Sequence, residues 1–128
     1  EKLRCMRECF NADFFITGAN ALSIDGQMVN IDGNGNRVGM IVYGPKNIIV
    51  VAGMNKVCAT LEDAVKRART VAAPMNQQRF GLNNPCTCTG VCADCHSESS
   101  ICNQILITRN SKPAGRIKFV LVGEELGF

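Results

Sequence analysis

"NIIVVAG", residues 47–53, is the stretch on which the fold turns. After Asn47 it is continuously apolar and largely β-branched, without the alternation of a strand that has one wet face. It reads as a strand buried on both faces, at the centre of a parallel sheet. Working outward, "VGMIVYG" (38–44) reads as a helix closed by Gly44-Pro45, entered from the polar, glycine-rich "DGNGNR" (32–37). Downstream, Thr60 and Asp63 form a variant capping box ahead of "LEDAVKRARTVAA" (61–73). There Leu61, Val65, Ala68 and Ala72 recur at helical spacing, and Pro74 is expected to stop the helix.

The flanks extend the pattern. Leu3, Met6 and Phe10 make an apolar stripe that predicts an opening helix ended by Asn11, before a strand at "DFFITG" (13–18). Asp25-Gly26 predicts a tight turn, "QMVNI" (27–31) a short strand, and "MNQQRFG" (75–81) a further short turn. "QILITR" (104–109) and "IKFVLVG" (117–123) read as two strands joined as a hairpin by "NSKPAG" (110–115). Strand–helix alternation followed by late strands predicts a three-layer α/β domain with a mostly parallel sheet. The chain is taken as one domain over residues 1–128. Its start at Glu1, with a helix already under way, gives the expectation of a C-terminal fragment of a longer chain.

Composition removes several function classes. The chain is 46% hydrophobic and 20% charged, ordinary for a globular domain rather than a disordered one. No apolar run approaches the roughly 20 residues of a membrane-spanning helix, and no secretory signal is present, so a cytoplasmic location without membrane contact is expected. A net charge of +3 with scattered basic residues, one Tyr and no Trp argues against nucleic acid as a partner.

Five of the eight cysteines crowd into "NPCTCTGVCADCHSESSICN" (84–103). Its Pro, Gly, Thr, Ser and Asp form turns and cannot supply an apolar core, so something else must order it. Disulfides are one reading, disfavoured without a secretory signal. A redox dithiol at Cys92-x-x-Cys95 is another, although such a pair belongs at the start of a helix behind a strand, where the helix dipole lowers the thiol pKa, and here a loop precedes it. Metal coordination is the preferred reading, with Cys92-x-x-Cys95 as a chelating hook closed by Cys86 and Cys102. The spacing leaves zinc and an iron–sulfur cluster both open, and Arg79 or Arg109 would offset the charge. His96 reads as an exposed loop residue beside a filled site. Cys5, Cys9 and Cys58 read as small apolar residues.

A second unusual region, Thr17 to Gly39, is rich in Asn, Asp and Gly immediately after a strand, where open α/β sheets place a ligand crevice. Arg37 falls in the first turn of the expected helix, where the dipole disfavours a cation unless an anion sits opposite. Asn20, Asp25, Asn30, Asn36 and Arg37 are therefore the candidate lining of a site for an anionic small molecule. Plain turn chemistry at Asp25-Gly26 and Gly33-Asn34-Gly35 is the alternative. No residue stands out as a general base, so whether the chain is an enzyme stays open.

The segments "ITGANALSIDGQMVNIDGNGNRV", "GPKNIIVVAGMNK", "VAAPMN", "NPCTCTGVCADCHSESSICN" and "VLVGEELGF" resemble the LUD-domain family of lactate-utilisation proteins from about Asn11 onward. The resemblance implies a fold like the sugar-phosphate isomerases and CoA-transferases, and a role near 2-hydroxy-acid oxidation with iron–sulfur protein partners. Cysteines matching Cys86, Cys92, Cys95 and Cys102 recur in the family pattern, whereas Cys88 is a local extra. "GANALSIDGQMVN" is also similar to a Gly-Ala-Asp segment of methylthioribose-phosphate isomerases. Asn20 stands at the acidic position, and an amide cannot accept a proton as a carboxylate does, so that reaction is not implied. The competing expectation is a ligand-binding domain or enzyme of the isomerase or CoA-transferase type, with a purely structural cysteine loop.

Overall fold

The computed structural model describes residues 1–128. Strand β4 (Asn47–Gly53) lies between β1 (Phe14–Thr17) and β7 (Ile117–Val122), parallel to both, as "NIIVVAG" predicts. A second sheet has the order β5 (Val57–Cys58), β2 (Ala21–Ser23), β3 (Met28–Asp32), β6 (Gln104–Thr108). In it β2 and β5 are parallel, while β3 runs antiparallel to β2 and β6. Three of the five strand pairings are thus parallel, and the fold is mixed α/β with a mostly parallel arrangement.

Two apolar clusters join the layers. Ile48, Val50 and Ala52 of β4 pack with Leu22, Met28 and Ile41, tying the two sheets to helix α2 (Asn36–Tyr43). On the far face of the second sheet, Ala21, Val29 and Ile31 meet Ala64, Ala68 and Ala73. These alanines belong to one almost continuous helical run: α3 (Leu61–Arg67), a π-helical turn (Ala68–Ala72) and α4 (Ala73–Arg79). Their small side chains let the helix lie close on the strands.

Local chemistry sets the element ends. Thr60 caps α3 as its sequence predicts: its Oγ1 accepts from the Asp63 N–H at 3.1 Å. Helix α2 begins where Asp32 Oδ2 accepts from the N–H groups of Arg37 and Val38, at 2.9 and 3.2 Å. It ends at Gly44 under the Arg116 guanidinium, which donates to the carbonyls of Met40, Ile41 and Pro45. At the end of β4, a Cβ on Gly53 would overlap Asn55 Oδ1 and the backbone at Glu124 and Leu126, so only glycine lets the C-terminal segment cross there.

Four expectations need correction. Pro74 does not stop its helix: the preceding π-helical turn shifts the hydrogen-bond register, and Pro74 falls at the start of α4, where no N–H partner is required. The segment 75–79 is therefore helix, not a separate turn. Strands β6 and β7 form no hairpin; each finds its partner in a different sheet, β3 and β4 respectively. Strand β4 is buried on one face only: Ile48, Val50 and Ala52 pack against the second sheet and Ile41 of α2, and neither buried cluster covers the other face. Ile49 and Val51 stay half-buried, beside exposed Phe14 and Ile16 of β1. Finally, Cys5 and Cys9 are exposed, since neither helix α1 (Lys2–Glu8) nor the 3-10 turn Cys9–Asn11 that follows it buries any residue.

The two faces of β4 predict different mutational costs. Ile48→Ala should destabilise the protein by about 2–5 kcal/mol, as for other large-to-small core changes. Ile49→Ala, beside it, should cost less than half as much. Urea unfolding of both variants checks this, and equal losses would show that the outer face is buried after all.

Candidate functional site

Residues 84–103 do not form a free loop. Asn84, Pro85 and Thr87 start a short helix, α5 (Pro85–Thr89), in which the Asn84 N–H donates to Thr87 Oγ1 at 3.1 Å and Gly90 closes the turn at positive φ. Asn84 itself is almost wholly buried (1% exposed), as is Gln77 of α4 (2%). The Asn84 side-chain amide donates to Gln77 Oε1 and to the Ser99 carbonyl, and Ser99 Oγ donates back to Asn84 Oδ1 at 2.9 Å. Gln77 Nε2 in turn reaches Cys102 Sγ at 3.6 Å. A buried amide pair thus fastens both ends of the cysteine segment to α4.

The consequence is convergence. Cys86, Cys92, Cys95 and Cys102 all line one cavity of about 180 Å³, floored by Gln77, Pro74 and Ile105. Cys88 lies outside it, exposed, with its thiol donating to Asn83 Oδ1. Exposed His96 sits at the cavity wall. All eight cysteines are free thiols, and no three His, Cys, Asp or Glu side chains stand together at coordination spacing. The donor set nonetheless suits a thiophilic ion or cluster: four sulfurs from one segment, reaching a common space.

The electrostatics distinguish these thiols. Burial pushes the Cys86 pKa up, and the neighbouring Cys95 and Cys92 push it further. Burial raises that of Cys102 too, partly offset by its hydrogen bond with Ser100, while Cys92 and Cys86 again oppose ionisation. Cys95 moves the other way, lowered mainly by hydrogen bonding to Ser97. The neighbouring sulfurs thus oppose ionisation of Cys86 and Cys102, an effect that a cation among them would reverse. The guanidinium beside the cavity is Arg69, paired with Asp94, rather than Arg79 or Arg109. Arg79 instead stacks over Phe80 in a second cleft.

That second cleft, about 670 Å³, gathers Asn20, Asn36 and Arg37 from the expected anion-binding set, with Asp32, Asn76 and Arg79. The other two members lie elsewhere. Asp25 is exposed at the β2–β3 turn, its pKa lowered by hydrogen bonds from Ser23 and Gln27. Asn30 is wholly buried in β3, donating to the Gly18 carbonyl at 3.2 Å. Arg37 turns inward, donating to Asn20 Oδ1 at 2.9 Å and to the Ile31 carbonyl, and Asp32 is the carboxylate nearest to it.

With this geometry in place, the family can be assigned: the family model of the LUD domain matches residues 1–122. The chain belongs to the LUD domain family. This is a family associated with lactate utilisation. No curated protein and no solved structure matches the chain. In this LUD domain the sequence missed Gln77, Asn84 and Arg69, which hold or flank the cysteine cavity. A buried glutamine is indistinguishable from a surface one until the helix is known to run past Pro74.

Asn84→Ala removes the clamp while leaving Gln77 Oε1 buried and unpaired, which should cost about 1–3 kcal/mol. Limited proteolysis would then cut within residues 85–103, and Cys102 would react faster with a thiol reagent. Unchanged protection of the segment would mean that the clamp does not order it.

Proposed function

We propose that this LUD domain is an accessory or electron-transfer component of lactate or related 2-hydroxy-acid utilisation, in which Cys86, Cys92, Cys95 and Cys102 hold an iron–sulfur cluster or, failing that, a zinc ion. The observation that carries the reading is the shared cavity: four thiols of one segment face one space, while Cys88 faces away. A bound cluster would supply one-electron chemistry, a zinc ion only rigidity. The chain's own residues do the rest. Gln77 and Asn84 hold the segment to α4, Gln77 donates to the Cys102 sulfur, and the Arg69–Asp94 pair lines the cavity. Hydrogen bonds to cluster sulfur and burial are the levers that set a potential. Free thiols in this number suit the reducing cytoplasm. Iron–sulfur proteins are the natural electron partners, and Asn20, Asn36 and Arg37 would serve an anionic small molecule in the wider cleft.

A second reading keeps the same cleft but makes the cysteine segment a purely structural clip, giving a ligand-binding domain or enzyme of the isomerase or CoA-transferase type. It is favoured by one observation: the Gln77–Asn84–Ser99 hydrogen bonds already order the segment without a metal.

Anaerobic purification followed by iron, sulfide and zinc analysis separates the two. The first reading predicts stoichiometric metal that is lost in a Cys92→Ser, Cys95→Ser double variant. Protein that is metal-free, with its cysteines linked as disulfides, would contradict it.

A further inference from the structure

We propose that the wide cleft takes a polyhydroxylated carboxylate, a sugar acid rather than lactate, with its carboxylate on Arg37 and Asn20 and its hydroxyls on Asn34 and Asn36. This rests on the cleft being the site of an anionic small molecule, and it does not depend on what the cysteine cavity holds.

The carboxylate end is built from the floor of the cleft. Asn20 is only 6% exposed, and its Oδ1 is held by the Ile31 N–H at 2.8 Å and by Arg37 Nη2 at 2.9 Å. Its Nδ2 donates to no protein group and is not among the enclosed unpaired atoms, so it opens on the cleft that Asn20 lines. Arg37 has no carboxylate at ion-pair distance; the ion pairs of the molecule are Arg4–Glu8 and Arg69–Asp94. Asp32, the acid nearest to it, has its oxygens engaged by the N–H groups of Gly33, Arg37 and Val38. Because Arg37 and Asn20 meet at Asn20 Oδ1, the free Asn20 amide and the remaining guanidinium N–H groups are neighbours, a donor set for a planar carboxylate. The charge fits a monoanion better than a phosphate dianion: Lys2, Arg37 and Arg79 of the cleft face Asp32 and Glu98, and one negative charge completes the balance.

The rest of the cleft suits hydroxyl groups. At about 670 Å³ it falls within the roughly 300–1,000 Å³ of sites for sizeable ligands, and a three-carbon acid would leave most of it to water. Asn34 and Asn36 line it with side-chain amides that bond to no protein group, and an amide offers the donor and acceptor pair that a hydroxyl needs. Their loop is pinned: Asn103 Nδ2 donates to the Gly33 carbonyl at 3.1 Å, and a Cβ on Gly33 would lie 3.1 Å from Ile101 Cα. Phe80, the one aromatic ring of the cleft, carries the Arg79 guanidinium over a face at 4.6 Å, so no pair of rings closes on a flat ligand such as a base.

The test is isothermal titration of the whole chain with D-gluconate, L-lactate, D-glucose 6-phosphate and neutral sorbitol, ionic strength held constant with sodium chloride. Saturable one-to-one binding of D-gluconate is expected, about tenfold tighter or more than that of lactate or the sugar phosphate, with no heat of binding from sorbitol. Arg37→Gln and the double variant Asn34→Ala, Asn36→Ala should each weaken it about tenfold. The double variant removes no hydrogen bond of the fold, so it reads the hydroxyl contacts even where loss of Arg37 disturbs folding. Lactate binding as tightly as gluconate would overturn the sugar-acid assignment and leave the anion site standing. Tighter binding of the sugar phosphate, or gluconate binding unchanged in both variants, would overturn it as well. Saturable heat from none of the three anions would overturn the anion site together with it.

Discussion

The buried pairing of Gln77 with Asn84 is the contact on which the functional half of the molecule depends. Two side-chain amides out of water cost stability unless each finds its partners, and here they find each other, Ser99 and the Cys102 sulfur. The penalty for breaking such a set, about 1–3 kcal/mol for each group left unpaired, exceeds the net gain of an ordinary hydrogen bond. That asymmetry makes the clamp a device for specifying one loop conformation. It turns a twenty-residue segment with no core of its own into a wall of the domain.

The clamp depends in turn on the helix that carries Gln77. Without the π-helical turn at Ala68–Ala72, Pro74 would end the helix one turn short of Gln77. The same turn places Ala68 and Ala73 against β3, so backbone register, strand packing and loop position are linked.

Much of the fold was legible because it follows from short-range rules. The run of β-branched residues at 48–51 made β4 a central parallel strand, Thr60 with Asp63 fixed the start of α3, and Gly44-Pro45 fixed the end of α2. What was not legible depends on distant partners. "NSKPAG" looks like a hairpin connection, but β7 extends the parallel sheet at β4 while β6 pairs with β3. An apolar strand does not announce which of its faces will be covered, and Ile49 reads the same as Ile48. For the site, cysteine spacing was enough to name four residues that come to share a cavity. Gln77 and Asn84 carried no signal, since a buried amide differs from an exposed one only through tertiary contacts.

The central claim is that the segment gathers four sulfurs around one ion, and X-ray absorption at the metal edge of the anaerobically isolated protein tests it most directly. The account predicts a first shell made of sulfur, at about 2.3 Å for zinc, which loses one sulfur in Cys86→Ser. A shell of nitrogen and oxygen, or a spectrum unchanged by that substitution, would contradict it.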